Sequence, residues 1–550
     1  MPLGDAEVEM TSEARTHTQT MMTAQQGARA EWDLKFATDP KTFRVALALP
    51  LLGGVAEAPE WLRLKSVYFD TENGDLMRHG VTLRVRRAEE AYVMGLKRAA
   101  GLNCSFFDRD ELEVESPSAE PDLSLFDKAI ARQIKDIIGE KPLAPKFGSD
   151  IRRALRTVDV DGSAIEVALD QGFLFAGERR EPVREIELEL KSGEPAVLID
   201  LGLSLVDAIG VKLSVRSKAE RAAGLMSLTP PEPARAKPPE LAPETPTDEA
   251  IAIILRDCLS QFLGNLPALE SGDAVEAVHQ MRVAMRRLRS ALGLFNRVFP
   301  CSDFEALRAD AQQIAAVLGE ARDWDVFVAM IRADPLSHFG DEPGFEKLLA
   351  AAQAKADAGH AAVLQLANAK AATRFALSLE RLVSSRGWRS ALEEDDLVGL
   401  AEPVAVFAER SLDRLDRKLR KRGRHFRSLS PEARHALRIA MKHMRYGTEF
   451  FGHLFHPTRA AERYVEKAMA LQDLLGELND ATIALRLVKD LDFGANAGFA
   501  FAAGAAAGWC ARASLGDEAE LGKAWRSLRK ADRYWRHNTA ARELESVGGA

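Results

Sequence analysis

A proline-rich stretch divides the chain into two parts with different hydrophobic patterns. Seven of the chain's 24 prolines fall between Pro230 and Pro246, where residues 228–250 read LTPPEPARAKPPELAPETPTDEA. Proline fixes its own φ angle and lacks a backbone N–H, so this stretch cannot continue a helix or a central strand. We expect a stiff, extended linker over residues 228–247. Because 550 residues exceed one ordinary hydrophobic core, the linker predicts a boundary between two domains.

The two sides of this linker differ in their periodicity. Residues 30–227 contain short segments in which polar and apolar residues alternate, such as VTLRVRR and REIELELK, separated by turns. Residues 248–545 are rich in Ala, Leu and Arg and carry the apolar spacing of helices. The predicted fold class is therefore α+β, with a sheet domain followed by an all-α domain. Residues 1–29 are polar and rich in Thr, Gln and Ala, and we expect a disordered tail there.

Composition excludes several classes of protein. The four cysteines are far apart and form no CxxC pair, which argues against a zinc site and favours a reducing, cytoplasmic setting. No apolar run reaches the roughly 20 residues that a membrane span requires. The net charge of −8 is a poor guide to binding, because basic residues are locally concentrated and local fields decide which ligands bind.

Charged side chains alternate with apolar ones in several of the predicted strands. Because side chains along a strand point to opposite faces in turn, the charges of each strand share one face. One such strand is typical of a solvated sheet face. The sets are Glu31, Asp33 and Lys35 in EWDLK, Arg84 and Arg86 in LRVRR, Glu111 and Glu113 in DELEVE, and Glu185, Glu187 and Glu189 in REIELELK.

Several strands of this kind, with both signs of charge, favour a different arrangement. A closed barrel whose apolar residues pack outward against helices would enclose a charged tunnel, which is costly unless a charged ligand fills it. Clustered carboxylates suit a hard divalent cation such as Mg²⁺ or Mn²⁺, and Arg and Lys suit phosphate oxygens. Together these residue types predict a site for a metal–polyphosphate complex.

The first domain resembles the CYTH family, also called triphosphate tunnel metalloenzymes. The resemblance begins with EWDLK, which corresponds to the family's ExExK strand, and continues through YFDT, LRVRR, GLKR, DIRRAL, IEVALD, REIELEL and RSKAER in the family's order. It implies an eight-stranded antiparallel tunnel with helices, inside which a triphosphate is hydrolysed. One departure is Asp33, which stands where the family usually has Glu and is one methylene shorter, so its carboxylate would reach a metal through water.

The resemblance also implies roles for individual residues. The implied phosphate ligands are Arg84, Arg86, Lys97, Arg153 and Lys218. The implied carboxylate ligands of one or two Mg²⁺ or Mn²⁺ ions are drawn from Glu31, Asp33, Glu111, Glu113, Glu166, Asp170, Glu185, Glu187 and Glu189. The implied catalytic residues are Glu31, Asp33 and Lys35, of which Lys35 positions the attacking water or a carboxylate.

The second domain contains an internal repeat. HQMRVAMRRLRSALGLF from His279 matches HALRIAMKHMRYGTEFF from His435 at an offset of 156 residues. LGEARDWD from Leu318 matches LGELNDAT from Leu475 at an offset of 157 residues. Because two separate segments match at nearly the same offset, the whole unit is duplicated, and we expect two repeats over about 250–400 and 405–540.

Each copy of the first repeated segment presents a basic helix face. At about 100° per residue the basic positions fall on one side of the helix and the apolar positions beside them. No acid occurs between Glu276 and Asp303 or between Glu432 and Glu449, so acids do not alternate with the basic positions along either helix. One such helix is typical of a solvated face, whereas two equivalent ones predict a shared groove for a polyanion. The predicted ligands are His279, Arg282, Arg286, Arg289, His435, Arg438, Lys442 and Arg445.

Residues 248–540 resemble the CHAD family, whose two helical repeats each open with a His followed by spaced basic residues. The resemblance implies binding of polyphosphate along the basic surface. Nucleic acid is the rival ligand, but few aromatic residues that could stack on bases lie in these runs, so no nucleic-acid specificity is expected. Lys442 stands where many members have Arg, and Asn479 replaces Arg322 of the first copy, so we expect the second half to bind more weakly.

Three functions remain open at this point. The first, which resembles bacterial CYTH–CHAD inorganic triphosphatases, is metal-dependent hydrolysis of tripolyphosphate to pyrophosphate and phosphate, with long-chain polyphosphate bound by the helical domain. The second is a non-catalytic polyphosphate-binding protein at polyphosphate granules. The third is an enzyme on an organic triphosphate: a thiamine triphosphatase, a nucleoside triphosphatase or an adenylate cyclase. All three predict a phosphate-chain ligand and no membrane partner.

Overall fold

The structure is a computed structural model that divides into two compact units, Met1–Thr229 and Pro230–Ala550. It describes residues 29–30, 32–54, 59–98, 110–226, 230–333, 339, 342–455, 459–492, 494 and 496–537. The unit boundary falls inside the stretch predicted as a linker. The predicted tail, except for Arg29, and the candidate ligand Glu31 lie outside the described residues.

The first unit combines antiparallel strands with short helices. Its strands are β1 (Arg29–Ala30), β2 (Asp33–Ala37), β3 (Leu62–Asp70), β4 (Val81–Ala88), β5 (Ala91–Arg98), β6 (Asp110–Ser116), β7 (Ala144–Val160), β8 (Ser163–Ala176), β9 (Arg179–Ser192) and β10 (Lys212–Leu213). Its helices are α1 (Pro40–Leu47), α2 (Asp75–Arg78), α3 (Lys128–Ile138), α4 (Pro195–Ile209) and α5 (Lys218–Met226). Short 3₁₀ turns cover Pro50–Leu52 and Leu123–Leu125.

The sheet closes on itself through one segment of chain. Its strand order is β1-β6-β5-β4-β3-β7-β8-β9-β2-β10, and neighbouring strands are antiparallel. Strand β1 pairs with β6 at one edge, whereas β2 pairs with β9 near the other, although only two residues separate β1 from β2. Residues 29–30 and 32–37 thus pair at the two ends of the strand order. Counted as one interrupted strand, β1 and β2 make eight antiparallel strands with β3 to β9, the number that the family resemblance implies, and the two-residue β10 adds a short ninth.

The apolar residues of the strands face outward, against helices. Leu83 and Val85 of β4 and Met94 of β5 form one core cluster with Ile134 and Ile138 of α3. These positions alternate with the charged ones, so packing them beneath helices leaves the charged positions on the inner face. Burial of such apolar side chains stabilises the barrel by about 1.5–3 kcal/mol for each fully buried residue.

Helix α5 covers an apolar patch on the inner face. Ala219 and Ala222 of α5 are buried in a cluster with Tyr68, Phe147 and Ile151. Tyr68 pairs in register with Arg84, which places this patch on the same face as the charged positions. The packing therefore fixes α5 across part of the tunnel and holds its first residue, Lys218, against the inner face.

The second unit is helical throughout its described elements. Its helices are α6 (Thr247–Gly264), α7 (Leu266–Ser271), α8 (Ala274–Phe295), α9 (Ser302–Ala333), α10 (Pro343–Asn368), α11 (Lys370–Ser384), α12 (Glu394–Ala401), α13 (Val404–Arg422), α14 (Pro431–Phe451), α15 (Arg459–Lys489), α16 (Ala497–Leu515) and α17 (Glu518–Arg529). Short 3₁₀ turns cover Gly387–Ala391, Phe426–Ser428, Gly452–Leu454 and Tyr534–His537. The all-α fold predicted for this unit is confirmed.

The repeat in the sequence corresponds to a pseudo-two-fold relationship in the structure. The backbone N–H of Thr247 donates to the carbonyl of Glu402 at 2.9 Å, and that of Val404 donates to the carbonyl of Thr245 at 2.8 Å. Thr247 and Val404 begin α6 and α13, and both pairs are related by an offset of 157 residues. Two equivalent segments that exchange equivalent bonds must lie beside a local two-fold axis.

The proline-rich segment is extended, as expected, but it is not a free linker. Leu241 is buried, and the backbone of Ala234 exchanges hydrogen bonds of 3.0 and 2.8 Å with the amide side chain of Asn265. The carbonyl of Lys237 accepts a hydrogen bond from Arg287. An extended, proline-rich backbone leaves its carbonyl groups unpaired, so it can satisfy buried polar side chains of the helices. Residues 230–246 therefore belong to the helical unit.

The alanine- and glycine-rich segment AFAAGAAAGWCARA forms most of helix α16. Ala502, Ala506 and Cys510 are buried in a cluster with Phe345 of α10, as expected of a close-packed bundle helix. Among the helices that the structure describes, none has the length and apolar character needed to cross a membrane.

Candidate functional site

The strand register brings most of the predicted charged residues to one face of the sheet. Lys35 of β2 lies opposite Glu187 of β9. Glu185 lies opposite Asp170 of β8, which in turn lies opposite Arg153 of β7. Side chains that are directly opposite in neighbouring strands point to the same face. Four adjacent strands therefore place both acids and bases inside the tunnel.

Three carboxylates converge on the ammonium group of Lys218. Its Nζ lies 2.8 Å from Asp170 Oδ2, 2.5 Å from Glu185 Oε2 and 2.8 Å from Glu187 Oε1. Asp170 and Glu185 are buried, with 0% and 1% of their side-chain surface exposed. Lys218 reaches this position because α5 packs against the inner face. The contact joins residues that are far apart in sequence.

Arg153 and Lys35 extend this network. The guanidinium of Arg153 donates two hydrogen bonds of 2.7 Å to the carboxylate of Asp170 and a third of 2.7 Å to Glu187. Lys35 pairs with Asp33, and its Nζ also lies 4.0 Å from Glu187 Oε1. We call the whole group the inner-face cluster: Asp33, Lys35, Arg153, Asp170, Glu185, Glu187 and Lys218.

The cluster keeps its members charged. Burial by itself would raise the pKa of Glu187, but Lys218, Lys35 and Arg153 outweigh it and hold that pKa well below its ordinary value. Burial would likewise lower the pKa of Lys218, and the carboxylates of Asp170, Glu185 and Glu187 raise it instead. Both groups are therefore ionised at neutral pH, and each needs a replacement partner if its present one moves.

A second charged group lies on the same face, across β4 to β6. Arg84 Nη2 donates to Glu113 Oε1 at 2.6 Å, and Arg86 Nη1 lies 3.6 Å from the same oxygen. Gly95 lies opposite Arg84, where a Cβ atom would stand 3.0 Å from the Arg84 Nε, so glycine gives the guanidinium room to cross β5. Lys97 lies two residues further along β5 and is half-buried. For its strand partner Glu111, only the backbone is among the described parts of the chain.

A third group, which contains two predicted metal ligands, borders the inner-face cluster, because Glu189 lies opposite Asp33. Glu166 and Glu189 lie opposite each other, and Lys191 contacts both, at 3.4 and 2.5 Å. Burial raises the pKa of Glu166, although Lys191 opposes it. Lys191 was not predicted as a site residue, although it is the last residue of REIELELK and continues the charged alternation after Glu189.

Arg221 contacts the inner-face cluster and was not predicted from the sequence. It lies on α5 and pairs with Glu181 and with Glu185 of the inner-face cluster. Its spacing from Lys218 was the available signal, because residues three apart share one helix face. Two cations of α5 thus contact Glu185.

The inner-face cluster has the donor chemistry of a hard divalent cation site. Asp33, Asp170, Glu185 and Glu187 supply carboxylate oxygens, the ligands that Mg²⁺ and Mn²⁺ prefer. Within the described ranges, no group of three or more His, Cys, Asp or Glu side chains has the arrangement of a metal site. The reason is local: these carboxylates are grouped around Lys and Arg. The carboxylates therefore have the right chemistry for a metal. Their present orientation is set by the Lys and Arg side chains that they contact.

In the helical unit, basic residues from the two equivalent helices α8 and α14 lie close together. Burial lowers the pKa of Lys442, and Arg438, Arg286 and Arg282 lower it further, to about 7. The pKa of Arg286 is lowered by burial and, among its cationic neighbours, by Arg282 and Arg445. We call these five residues the repeat groove: Arg282, Arg286, Arg438, Lys442 and Arg445.

Acids from neighbouring helices contact the edge of the repeat groove. Arg282 Nη1 donates to Asp323 Oδ1 of α9 at 3.0 Å, and Arg486 of α15 lies 3.8 Å from the other oxygen of Asp323. The carboxylate of Asp480 in α15 raises the pKa of Lys442 and so opposes part of the lowering by burial and by the arginines. Asp323 and Asp480 come from the segments LGEARDWD and LGELNDAT, on other helices, so the sequence of the basic helices alone did not indicate them.

The remaining predicted residues of the helical unit are dispersed. His279 is half-buried, and burial together with Arg322 lowers its pKa. His435, its equivalent in the second copy, is exposed. Arg289 donates to Gln312 of α9 at 3.0 Å and has Arg308 as its cationic neighbour. The two copies are therefore unequal, and Arg289 lies in a different environment from Arg286.

Comparison with known proteins agrees with this division. Residues 30–223 match the CYTH domain and residues 253–489 match the CHAD domain. The chain is 29% identical over 198 residues to an inorganic triphosphatase of Haemophilus influenzae, a match that covers 35% of this chain and 53% of the relative. The chain thus spans about half of that relative's length.

Two other similarities extend over more of the chain. An uncharacterized protein of Mycobacterium tuberculosis is 26% identical over 455 residues, covering 77% of this chain and 81% of the relative. A crystal structure of the CHAD domain from the plant Ricinus communis is 31% identical, with a TM-score of 0.48, and the match covers 55% of this chain and 98% of that one. The chain therefore joins an N-terminal CYTH domain to a C-terminal CHAD domain, in the order that its sequence patterns predict.

Proposed function

We propose that the CYTH domain hydrolyses inorganic triphosphate with Mg²⁺ or Mn²⁺, and that the CHAD domain binds polyphosphate. The observation that carries the first part is the convergence of four carboxylates and three cations inside a closed barrel. The similarity of this chain to an inorganic triphosphatase supports the same reaction. Tripolyphosphate would yield pyrophosphate and phosphate.

The energetics of the inner-face cluster favour a ligand-binding role. Buried ion pairs lose much of their Coulomb energy to desolvation, so such a network is a poor way to stabilise a fold. A metal–triphosphate complex carries both signs of charge, so its metal and its phosphates can replace the present ion-pair partners within the inner-face cluster. Arg153 and Lys218 would turn from carboxylates to phosphate oxygens, joined by Arg84, Arg86 and Lys97 from the other wall. The freed carboxylates would turn to the metal.

The metal would be held by carboxylates of Asp33, Glu185 and Glu187, with Glu31 and Asp170 as further candidates. When bound, it would neutralise phosphate charge and lower the pKa of a coordinated water. Lys35 pairs with the Asp33 carboxylate, which would reach the metal through water because its side chain is one methylene shorter than Glu. Glu113 pairs with Arg84 and Arg86, and Glu166 and Glu189 pair with Lys191, so we assign these three acids to positioning of the basic side chains.

Phosphate release from tripolyphosphate tests the enzymatic proposal. Purified full-length protein should release phosphate with Mg²⁺ or Mn²⁺ and stop when the metal is chelated. A parallel panel of thiamine triphosphate, ATP and long-chain polyphosphate separates inorganic from organic substrates, and cyclic AMP formation from ATP would indicate a cyclase. The proposal fails if tripolyphosphate is not hydrolysed with either metal, or if an organic triphosphate is turned over much faster.

The repeat groove supports the second part of the proposal. Its five cations come from two equivalent helices, where burial lowers the pKa of Lys442 and of Arg286 and repulsion by neighbouring arginines lowers it further. A polyanion relieves that repulsion, and a ligand made only of phosphate needs no aromatic stacking. Localisation to polyphosphate granules would be a consequence of such binding.

Binding of long-chain polyphosphate tests the groove. The paired variant Arg286→Gln with Arg438→Gln should weaken binding by about tenfold or more, because hydrogen bonds between charged groups are the strong ones. Arg235→Gln, which removes a side chain 77% exposed to solvent, is the matched control. Equal affinity in the paired variant and in the control would contradict the proposal.

A further inference from the structure

Arg287 is a fully buried cation whose charge is balanced within the helical unit. None of its side chain is exposed, yet it pairs with Asp257 of α6 at 2.8 Å and with Glu449 of α14. Its Nη1 also donates to Gln261 Oε1 at 2.9 Å. Two carboxylates and one amide thus compensate a charge that would otherwise be too costly to bury.

The equivalent position in the other repeat has lost both carboxylates. At the offset of 156 residues, Arg287 corresponds to His443, and Glu449 corresponds to Gly293. At the offset of 157 that relates the starts of α6 and α13, Asp257 corresponds to Arg414. Arg414 stands where the first site has Asp257, and Gly293 stands where it has Glu449. The second site therefore lies among the equivalent helices but lacks both negative charges.

Further cations surround this second site. Burial lowers the pKa of His443 to about 4, and Lys418, Arg308, Arg289 and Arg297 lower it in addition. Geometry agrees: Ser290 Oγ lies 3.5 Å from His443 Nδ1, and a Cβ atom at Gly293 would lie 3.4 Å from Arg308 Nε. We call this group the His443 cluster: Arg289, Arg297, Arg308, Arg414, Lys418 and His443.

The cations of the His443 cluster come from α8, α9, α13 and the turn that follows α8, and they act on one another. The pKa of Arg414 is lowered by burial and by Arg297, Arg417 and Arg410, and that of Lys418 by burial, Arg297 and Arg422. The Nε of Arg289 is buried without a hydrogen-bond acceptor in the described structure. Arg297, Arg308 and Lys418 are exposed, so an anion can reach the cluster from solvent.

We propose that the His443 cluster is a second anion site, in which a phosphate group of a polyanion takes the place of the two carboxylates that balance Arg287 in the other repeat. The phosphate identity of the ligand rests on the function proposed for the CHAD domain, whereas the missing counter-charge does not. The site is distinct from the repeat groove, because its cations come mainly from α9, α13 and the end of α8. A polyphosphate long enough to reach both sites would bind more tightly than tripolyphosphate, which can occupy one.

Substitutions of Gly293 test the proposal. Gly293→Glu returns a carboxylate to the position that Glu449 holds in the other repeat, and Gly293→Gln is its uncharged match. Both add the same length of side chain and both favour the helix, so their difference reports charge alone. A Cβ atom at Gly293 makes only ordinary contact with the flexible side chain of Arg308, so both variants should fold.

Long-chain polyphosphate and tripolyphosphate are titrated into both full-length variants at low and high salt. We expect Gly293→Glu to bind the long chain about fivefold to tenfold more weakly than Gly293→Gln at low salt, because local charge governs such binding. The carboxylate should also raise the Tm of the helical unit at low salt, an effect that high salt removes. Equal affinities of the two variants for long-chain polyphosphate would overturn the inference.

The groove variant separates this inference from the proposed function. If Arg286→Gln with Arg438→Gln binds as the wild type does while Gly293→Glu binds weakly, the repeat groove fails and the His443 cluster stands. If the groove variant loses binding and Gly293→Glu matches Gly293→Gln, the groove stands and the His443 cluster fails. Lys418→Gln with Arg308→Gln repeats the test by removing cations, and it should weaken binding of the long chain in the same way.

Discussion

Gly344 and Gly498 lie against each other where α10 meets α16. A Cβ atom built on Gly344 would overlap the carbonyl oxygen of Gly498. Their neighbours Phe345 and Phe499 both belong to the core cluster between these helices. Only residues without a side chain permit so close an approach of the two helices.

Replacing the first of these glycines should therefore destabilise the helical unit. We expect Gly344→Ala to lower its free energy of unfolding by about 1–3 kcal/mol, the usual cost of overpacking. Gly504→Ala, on the same α16, has no atom within 4 Å of its new Cβ and should stabilise by about 0.5–1 kcal/mol. Thermal or urea unfolding measures both, and equal effects would contradict the close contact.

Glu187 is the carboxylate that joins the cations of the inner-face cluster. Glu187→Gln keeps the shape of the side chain but removes the charge that Lys218, Lys35 and Arg153 share. We expect the rate of tripolyphosphate hydrolysis to fall by about 100-fold or more, as when preorganised electrostatic groups are removed from other sites. Glu178→Gln, at an exposed turn, is the control. Near-wild-type turnover by Glu187→Gln would count against the proposed active site.

Lys442 should make binding of polyphosphate depend on pH. Its pKa in the folded protein is lowered to about 7 from 10.5, so the lysine is partly neutral near neutral pH. A bound polyanion favours the charged form and raises this pKa, so binding takes up a proton. Affinity should fall as pH rises through 7, by roughly tenfold between pH 6 and pH 9.

Lys442→Arg isolates that effect from the histidines of the same domain. Arginine stays charged throughout this range, so the variant should bind more tightly than the wild type at pH 9 and similarly at pH 6. Titration calorimetry in buffers of different ionisation enthalpy measures the proton uptake directly. A wild-type affinity that does not change with pH, or a variant with the same pH profile, would refute the role of Lys442.

Arg287 should be the most sensitive basic residue of the helical unit for stability. Arg287→Met leaves the partly buried carboxylates of Asp257 and Glu449 without a cation. Breaking a buried pair in this way costs about 3–5 kcal/mol. Arg235→Gln removes an exposed arginine 3.6 Å from Glu276 and should cost less than about 1 kcal/mol. Urea unfolding that shows similar losses for both variants would contradict the buried network.

Much of the fold could be predicted from local patterns. Alternation of charged and apolar residues in segments such as REIELELK indicated strands with one charged face, and the matching helical segments from His279 and His435 indicated a duplicated bundle. These features depend on residues close together in sequence, whose geometry is set by strand and helix periodicity. The division at the proline-rich stretch was visible for the same reason, because proline restricts its own backbone.

The partners of the charged residues could not be predicted in this way. Lys218 reaches Glu185 and Glu187 only because α5 packs across the inner face, and Asp323 reaches Arg282 only because α9 packs beside α8. The docking of the proline-rich segment onto the helical unit was missed because its hydrogen bonds are made by backbone groups, which every residue type supplies.

By itself, the sequence determined which residue types alternate, which segment repeats and where regular structure must stop. Tertiary structure alone decided that residues 29–30 and 32–37 close the barrel, which carboxylates share the ammonium of Lys218, and that the frame around Arg287 recurs around His443 without its acids. The physical reason is that periodicity follows from neighbouring dihedral angles, whereas a charge finds its partner by distance in space, and long-range packing sets that distance.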